Sequence, residues 1–139
     1  MNNKYHYIGL FVSRRELLRY ASLISEERLD KVIEHPHVTM AYMPQNANES
    51  LFGQTAEITL TGYANNGKNE GFQVEVSSEC DELNAMASKV RVPHITISIC
   101  KDGAAVDTGS LKFEPIDPIK ISGVFGGFTN RKDVITNID

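Results

Sequence analysis

The sequence predicts an α+β fold. Three observations carry that reading: short segments whose apolar residues alternate, two segments whose apolar residues recur at helical spacing, and one five-residue pattern that occurs twice. The 139 residues fit a single domain spanning 1–139, long enough to bury a core without a disulfide or metal framework.

Each element can be justified in order. From Tyr5 to Val12 the residues read as a strand covered on both faces, with Ile8, Leu10 and Val12 alternating with Tyr7, Gly9 and Phe11. Ser13 opens a helix with Glu16 in capping-box spacing, and Leu17, Ala21 and Ile24 form its apolar stripe. That helix should fade between Glu26 and Asp30. Val38 to Met43 is a second strand, stopped by Pro44. Thr55 to Tyr63 and Phe72 to Val76 alternate on either side of Asn65-Asn66-Gly67-Lys68-Asn69, a hairpin signature. Ser77-Ser78-Glu79 starts a second helix with the stripe Leu83, Met86, Ala87 and Val90, broken by Pro93. His94 to Ile99 is a strand. Ile119 to Phe128, interrupted by three glycines, reads as a bent or bulged strand, and Val134 to Ile138 as a short last one.

Composition narrows the function classes. The formal net charge is −4 and the basic residues are scattered, which argues against a protein that grips long duplex nucleic acid through its phosphates. No apolar run approaches the ~20 residues of a membrane helix. The start Met1-Asn2-Asn3-Lys4 lacks a signal-peptide pattern, so a cytoplasmic address is expected, with no membrane partner. Cys80 and Cys100 are too few for a cysteine metal site and are expected to be reduced thiols.

The repeat carries the chemistry. Pro36-His37-Val38-Thr39-Met40 and Pro93-His94-Ile95-Thr96-Ile97 share proline, histidine and threonine in register, each after a helix and at the start of a strand. Two similar lobes are one consequence of such a repeat. Strand alternation puts His37 and Thr39 on one face and Val38, Met40 and Tyr42 on the other. It likewise puts His94, Thr96 and Ser98 together, opposite Ile95, Ile97 and Ile99. Hydrolysis of a phosphodiester needs a base for water and an acid for the leaving oxygen. Histidine serves either role near neutral pH, and hydroxyls can hold the phosphoryl oxygens.

Two His-x-Thr copies, each opening a strand, resemble the two-histidine (2H) phosphoesterase superfamily, which includes RNA 2′,5′-ligase-like proteins and cyclic phosphodiesterases. The likeness in element order covers nearly the whole chain. It implies a bilobal α+β fold, two pseudo-symmetric lobes with antiparallel sheets lining a central cleft and helices outside. It also implies His37, Thr39, His94 and Thr96 as the catalytic set, no cofactor, and a 2′,3′-cyclic phosphate of a nucleotide or RNA end as substrate. Several family members carry an arginine shortly after the second motif. Here the chain reads Ser98-Ile99-Cys100-Lys101, which makes Lys101 the candidate phosphate contact.

Other candidates are weaker. Tyr7 is either a stacking platform for a base or a core residue. Phe125 and Phe128, beside the glycines, are further stacking candidates, and Ser98 continues the His94 face. His35 is expected to be solvated and His6 structural. A metal site from His35, His37 and His94 is disfavoured, because no carboxylate joins them at usable spacing. Two alternatives stand beside the cyclic phosphodiesterase: a hydrolase of cyclic oligonucleotide signals with the same mechanism, and a module that binds a nucleotide or RNA end without turnover. The sequence leaves the oligomeric state open.

Overall fold

The computed structural model describes residues 4–136. Its strands are β1 (Tyr5–Val12), β2 (Lys31–Val32), β3 (His37–Tyr42), β4 (Thr55–Asn65), β5 (Asn69–Ser77), β6 (His94–Ile99), β7 (Glu114–Thr129) and β8 (Val134–Ile135). Two helices, α1 (Arg14–Ile24) and α2 (Asp81–Ser88), lie between them. Short 3₁₀ turns cover Glu49–Leu51 and Ala105–Ser110.

Many local expectations match. Ser13 caps α1, its hydroxyl accepting from the Glu16 amide at 3.2 Å. The hairpin β4–β5 turns through Gly67, whose φ of +85° is a left-handed conformation that glycine adopts at no steric cost. Some boundaries differ. The first helix stops at Ile24, the second runs only from Asp81 to Ser88 and leaves Val90 of its expected stripe outside, the two-residue strand β2 is additional to the expected elements, and β7 starts at Glu114. The last strand ends at Ile135, and the end of its expected span lies outside the described residues.

The expected bilobal α+β architecture does not form. The strands pair in the order β1-β3-β6-β5-β4-β7, and β7 pairs back onto β1 from Tyr5↔Thr129 to Val12↔Gly123. The result is a closed six-stranded antiparallel barrel, with β2 and β8 as added short strands on β6 and β7. The two histidine strands, expected in separate lobes, are direct neighbours in this one sheet. The physical reason is the use of both edges of β1. With β3 on one side and β7 on the other, no free edge divides the chain into halves. Leu10, Val38, Ile58, Phe72, Ile95 and Phe125 from six strands then form one core, which also takes Leu17 and Ala21 of α1 and Leu83 of α2.

Two bulges reset the alternation. Gly9 pairs with Thr39 but Ile8 pairs with Ala41, so β3 carries an extra residue at Met40. Tyr42 thereby pairs with Tyr7 and joins the His37 face, not the core face expected from simple alternation. Similarly Gly71 pairs with Thr96 but Glu70 with Ser98, so Ile97 is extra in β6. Beyond it Ser98 leaves the His94–Thr96 face.

Candidate functional site

β3 and β6 meet in an antiparallel pair at Val38↔Ile95, both side chains buried in the core. Alternation therefore turns His37, Thr39, His94 and Thr96 to the opposite face. Because the strands run antiparallel through that pair, His37 lies toward Thr96 and Thr39 toward His94. The repeat is thus related by a local two-fold through one strand pair.

Each histidine is held in the same way. Nδ1 of His37 lies 2.8 Å from the carbonyl oxygen of His35, and Nδ1 of His94 lies 2.7 Å from that of Val92. A carbonyl only accepts, so in the neutral ring the hydrogen sits on Nδ1 and Nε2 keeps its lone pair. In both cases the carbonyl belongs to the residue before the proline. Pro36 and Pro93 restrict that residue to extended backbone, which gives the shared proline of the two motifs a physical role.

The surroundings differ. The Tyr7 ring stacks on His37 at 4.2 Å and 19°, Phe128 stacks on Tyr7 at 5.0 Å, and Phe11 lies 5.6 Å from His37. Burial among these rings lowers the His37 pKa from 6.5 to about 4, opposed by its bond to the His35 carbonyl and aided by nearby His94. His94 instead faces a strap, Ala105–Ser110. A Cβ on Gly109 would come within 3.1 Å of its Cε1. Thr96 is tied to that strap, its hydroxyl 2.8 Å from Thr108 Oγ1 and donating to the Ala105 carbonyl at 3.2 Å. Thr39 makes no side-chain hydrogen bond among the described residues. It lines, with His94, Tyr42, Arg91, Val106 and Ser110, a groove of about 610 Å³.

The other expected contacts disperse. Ser98 is fully buried on the far side of the Ile97 bulge, where its hydroxyl donates to Glu70 at 2.7 Å and accepts from the Leu29 amide at 3.0 Å. Glu70 also bonds Arg28 at 2.7 Å and the Tyr63 hydroxyl, so this cluster fastens the segment after α1 to the sheet. Lys101 lies beyond the opposite end of β6, roughly 20 Å along the strand from His94 at ~3.3 Å per residue, where its amide binds Asp30. Phe125 is in the core against Phe52. His35 is exposed beside Glu34, and His6 is exposed on β1. Cys80 and Cys100 are free thiols. Among the described residues, no three His, Cys, Asp or Glu side chains cluster as a metal site, and no helix is long and apolar enough to cross a membrane.

Sequence reasoning passed over Arg91, Val106 and Gly109, and assigned Tyr42 to the core. Arg91 stands three residues before His94, a signal that a search only downstream of the motif misses. Val106 and Gly109 reach the groove through the strap, with no local pattern to mark them. No protein-family model and no curated protein matches this chain.

Proposed function

We propose that the protein is a phosphodiesterase that opens a cyclic phosphodiester of a nucleotide by acid–base catalysis between His37 and His94. The observation that supports it most is the paired imidazoles. Both have Nδ1 engaged by a backbone carbonyl, leaving Nε2 of each for proton transfer, on one face of adjoining strands.

The two environments favour a division of labour. His37, kept neutral by burial and by its neighbour's charge, is the base. Its Nε2 takes a proton from water as the water oxygen bonds to phosphorus. His94 gives a proton from Nε2 to the ribose oxygen as the phosphorus–oxygen bond breaks. One proton enters the pair and one leaves it, so the sites end with their protons exchanged. Thr39 donates to a phosphoryl oxygen as negative charge shifts there. Thr96 holds the strap whose Gly109 rests against His94.

The test is incubation of EDTA-treated protein with 2′,3′-cyclic nucleotides and cyclic oligonucleotides, with products separated by chromatography. Ring opening that survives EDTA and is lost in His37→Ala and His94→Ala is expected. Near-wild-type turnover by either variant sinks the mechanism. Binding without turnover by the wild type favours a nucleotide-binding module instead.

A further inference from the structure

The groove that holds Thr39 and His94 is larger than one phosphate needs. Its volume of about 610 Å³ falls in the ~300–1,000 Å³ range of pockets that bury a whole small ligand. Two of the large hydrophobic side chains left exposed in the molecule stand on it, Tyr42 at 53% and Val106 at 62%. Tyr42 reaches this face through the Met40 bulge, and its ring is braced edge-on by Tyr7 at 6.2 Å and His6 at 6.5 Å. A braced, half-exposed aromatic ring in the same groove as an exposed aliphatic side chain is suited to stack a flat base.

The charge of the groove departs from that of the chain. The protein has 18 acidic and 14 basic residues. Grooves of about 790 and 700 Å³ elsewhere on the surface carry carboxylates, Glu27 and Glu114 with Arg28 and Lys112 in one, and Glu16, Glu57 and Glu79 with Lys120 in the other. The Thr39–His94 groove has no carboxylate in its lining, and its Arg91 is exposed and in no ion pair among the described residues. A guanidinium without a partner, in a groove free of acidic groups, selects an anion and grips phosphate through two N–H bonds at once. Thr39 and the two imidazoles already account for the scissile phosphate.

We propose that Tyr42, Val106 and Arg91 form a second nucleotide subsite, which takes the base and phosphate of the nucleotide joined to the scissile one. The preferred substrate is then a phosphodiester of at least two nucleotides, linear with a cyclic end or wholly cyclic, and not a mononucleotide. This rests on the two-histidine reading, in which His94 of this groove acts with His37 of the adjoining strand.

The experiment compares kcat/KM for a mononucleoside 2′,3′-cyclic phosphate and for a dinucleotide carrying an internal phosphodiester as well as the cyclic end. Wild type is expected to prefer the dinucleotide. Arg91→Gln and Tyr42→Ala should each cut that preference by about tenfold, mainly through KM, as loss of a charged hydrogen bond or a stacked base implies. Thermal melting confirms that each variant is folded, and Arg91→Lys, which keeps the charge without the paired donors, should fall between. A preference that is absent in wild type, or unchanged in both folded variants, overturns the subsite. If neither substrate turns over, the catalytic reading fails separately, and calorimetric titration with a linear dinucleotide bearing a terminal phosphate decides the subsite. Binding weakened about tenfold by Arg91→Gln supports it, and equal binding overturns it.

Discussion

His37 is the residue on which the proposed chemistry and the stability meet. Its pKa is lowered from 6.5 to about 4, so on acidification the unfolded chain takes the proton before the folded one does. The stability it contributes is therefore complete above pH 6.5 and drains away as pH falls toward 4, by on the order of 3 kcal/mol. Urea midpoints at pH 7 and pH 4.5 check this, and His37→Gln should flatten that part of the pH dependence. The same burial sets the acidic limb of kcat/KM near pH 4 if His37 is the base. Tyr7→Ala removes the ring stacked on the imidazole, lets water in, and should move that limb up by roughly one unit. Tyr7→Phe keeps the stack and should leave the limb in place. An equal shift in both variants would mean that the hydroxyl, and not the ring, tunes His37.

At the scale of the element, bulges and the strap decide which side chains share a face. Ser98→Ala tests the Ile97 bulge. It takes one hydrogen bond from the buried Glu70 carboxylate and should cost about 1–3 kcal/mol of stability, while kcat and KM stay at wild-type values. A rise in KM would put Ser98 back in the groove. Gly109→Val tests the strap. The added Cβ comes 3.1 Å from the His94 ring, closer than an ordinary contact, and the branch crowds the ring further, so turnover should drop at least tenfold. The melting temperature should change by a few degrees at most, since Gly109 is only half-buried and the strap's buried anchor, Thr108, is untouched. Activity retained in that variant would show that His94 does not depend on the strap for its position.

At the scale of the whole molecule, closure is the property to test. With both edges of β1 paired, amides of Ile8, Leu10 and Val124 should exchange only through global unfolding, at a free energy equal to that from denaturant titration. Two independently stable lobes would give faster exchange along β1 and two unfolding transitions. Much of the local structure was legible in the sequence: the Ser13 cap, the Asn65–Asn69 turn, the buried Leu17, Ala21 and Leu83 of the two helices, and the alternation that pairs each histidine with its threonine, whereas Ile24 is exposed and Val90 lies beyond its helix. Those features depend on residues within a turn or a few positions of one another. Tyr42 and Ser98 were misplaced because a bulge is defined by the partner strand. One extra residue opposite a neighbour far away in sequence reverses every later side chain.

The sequence by itself determined most of the elements, the two Pro-His-x-Thr copies and the chemistry that two imidazoles and two hydroxyls can support, because these follow from residue type and short-range geometry. Only the tertiary structure decided that the strands close into one barrel, that the histidine strands lie side by side, that Thr96 serves the strap while Thr39 faces the groove, and that Arg91 stands beside them. Strand pairing joins residues dozens of positions apart through backbone hydrogen bonds that every residue type except proline can make on both sides, so the side chains of one segment carry little record of which neighbour it will find.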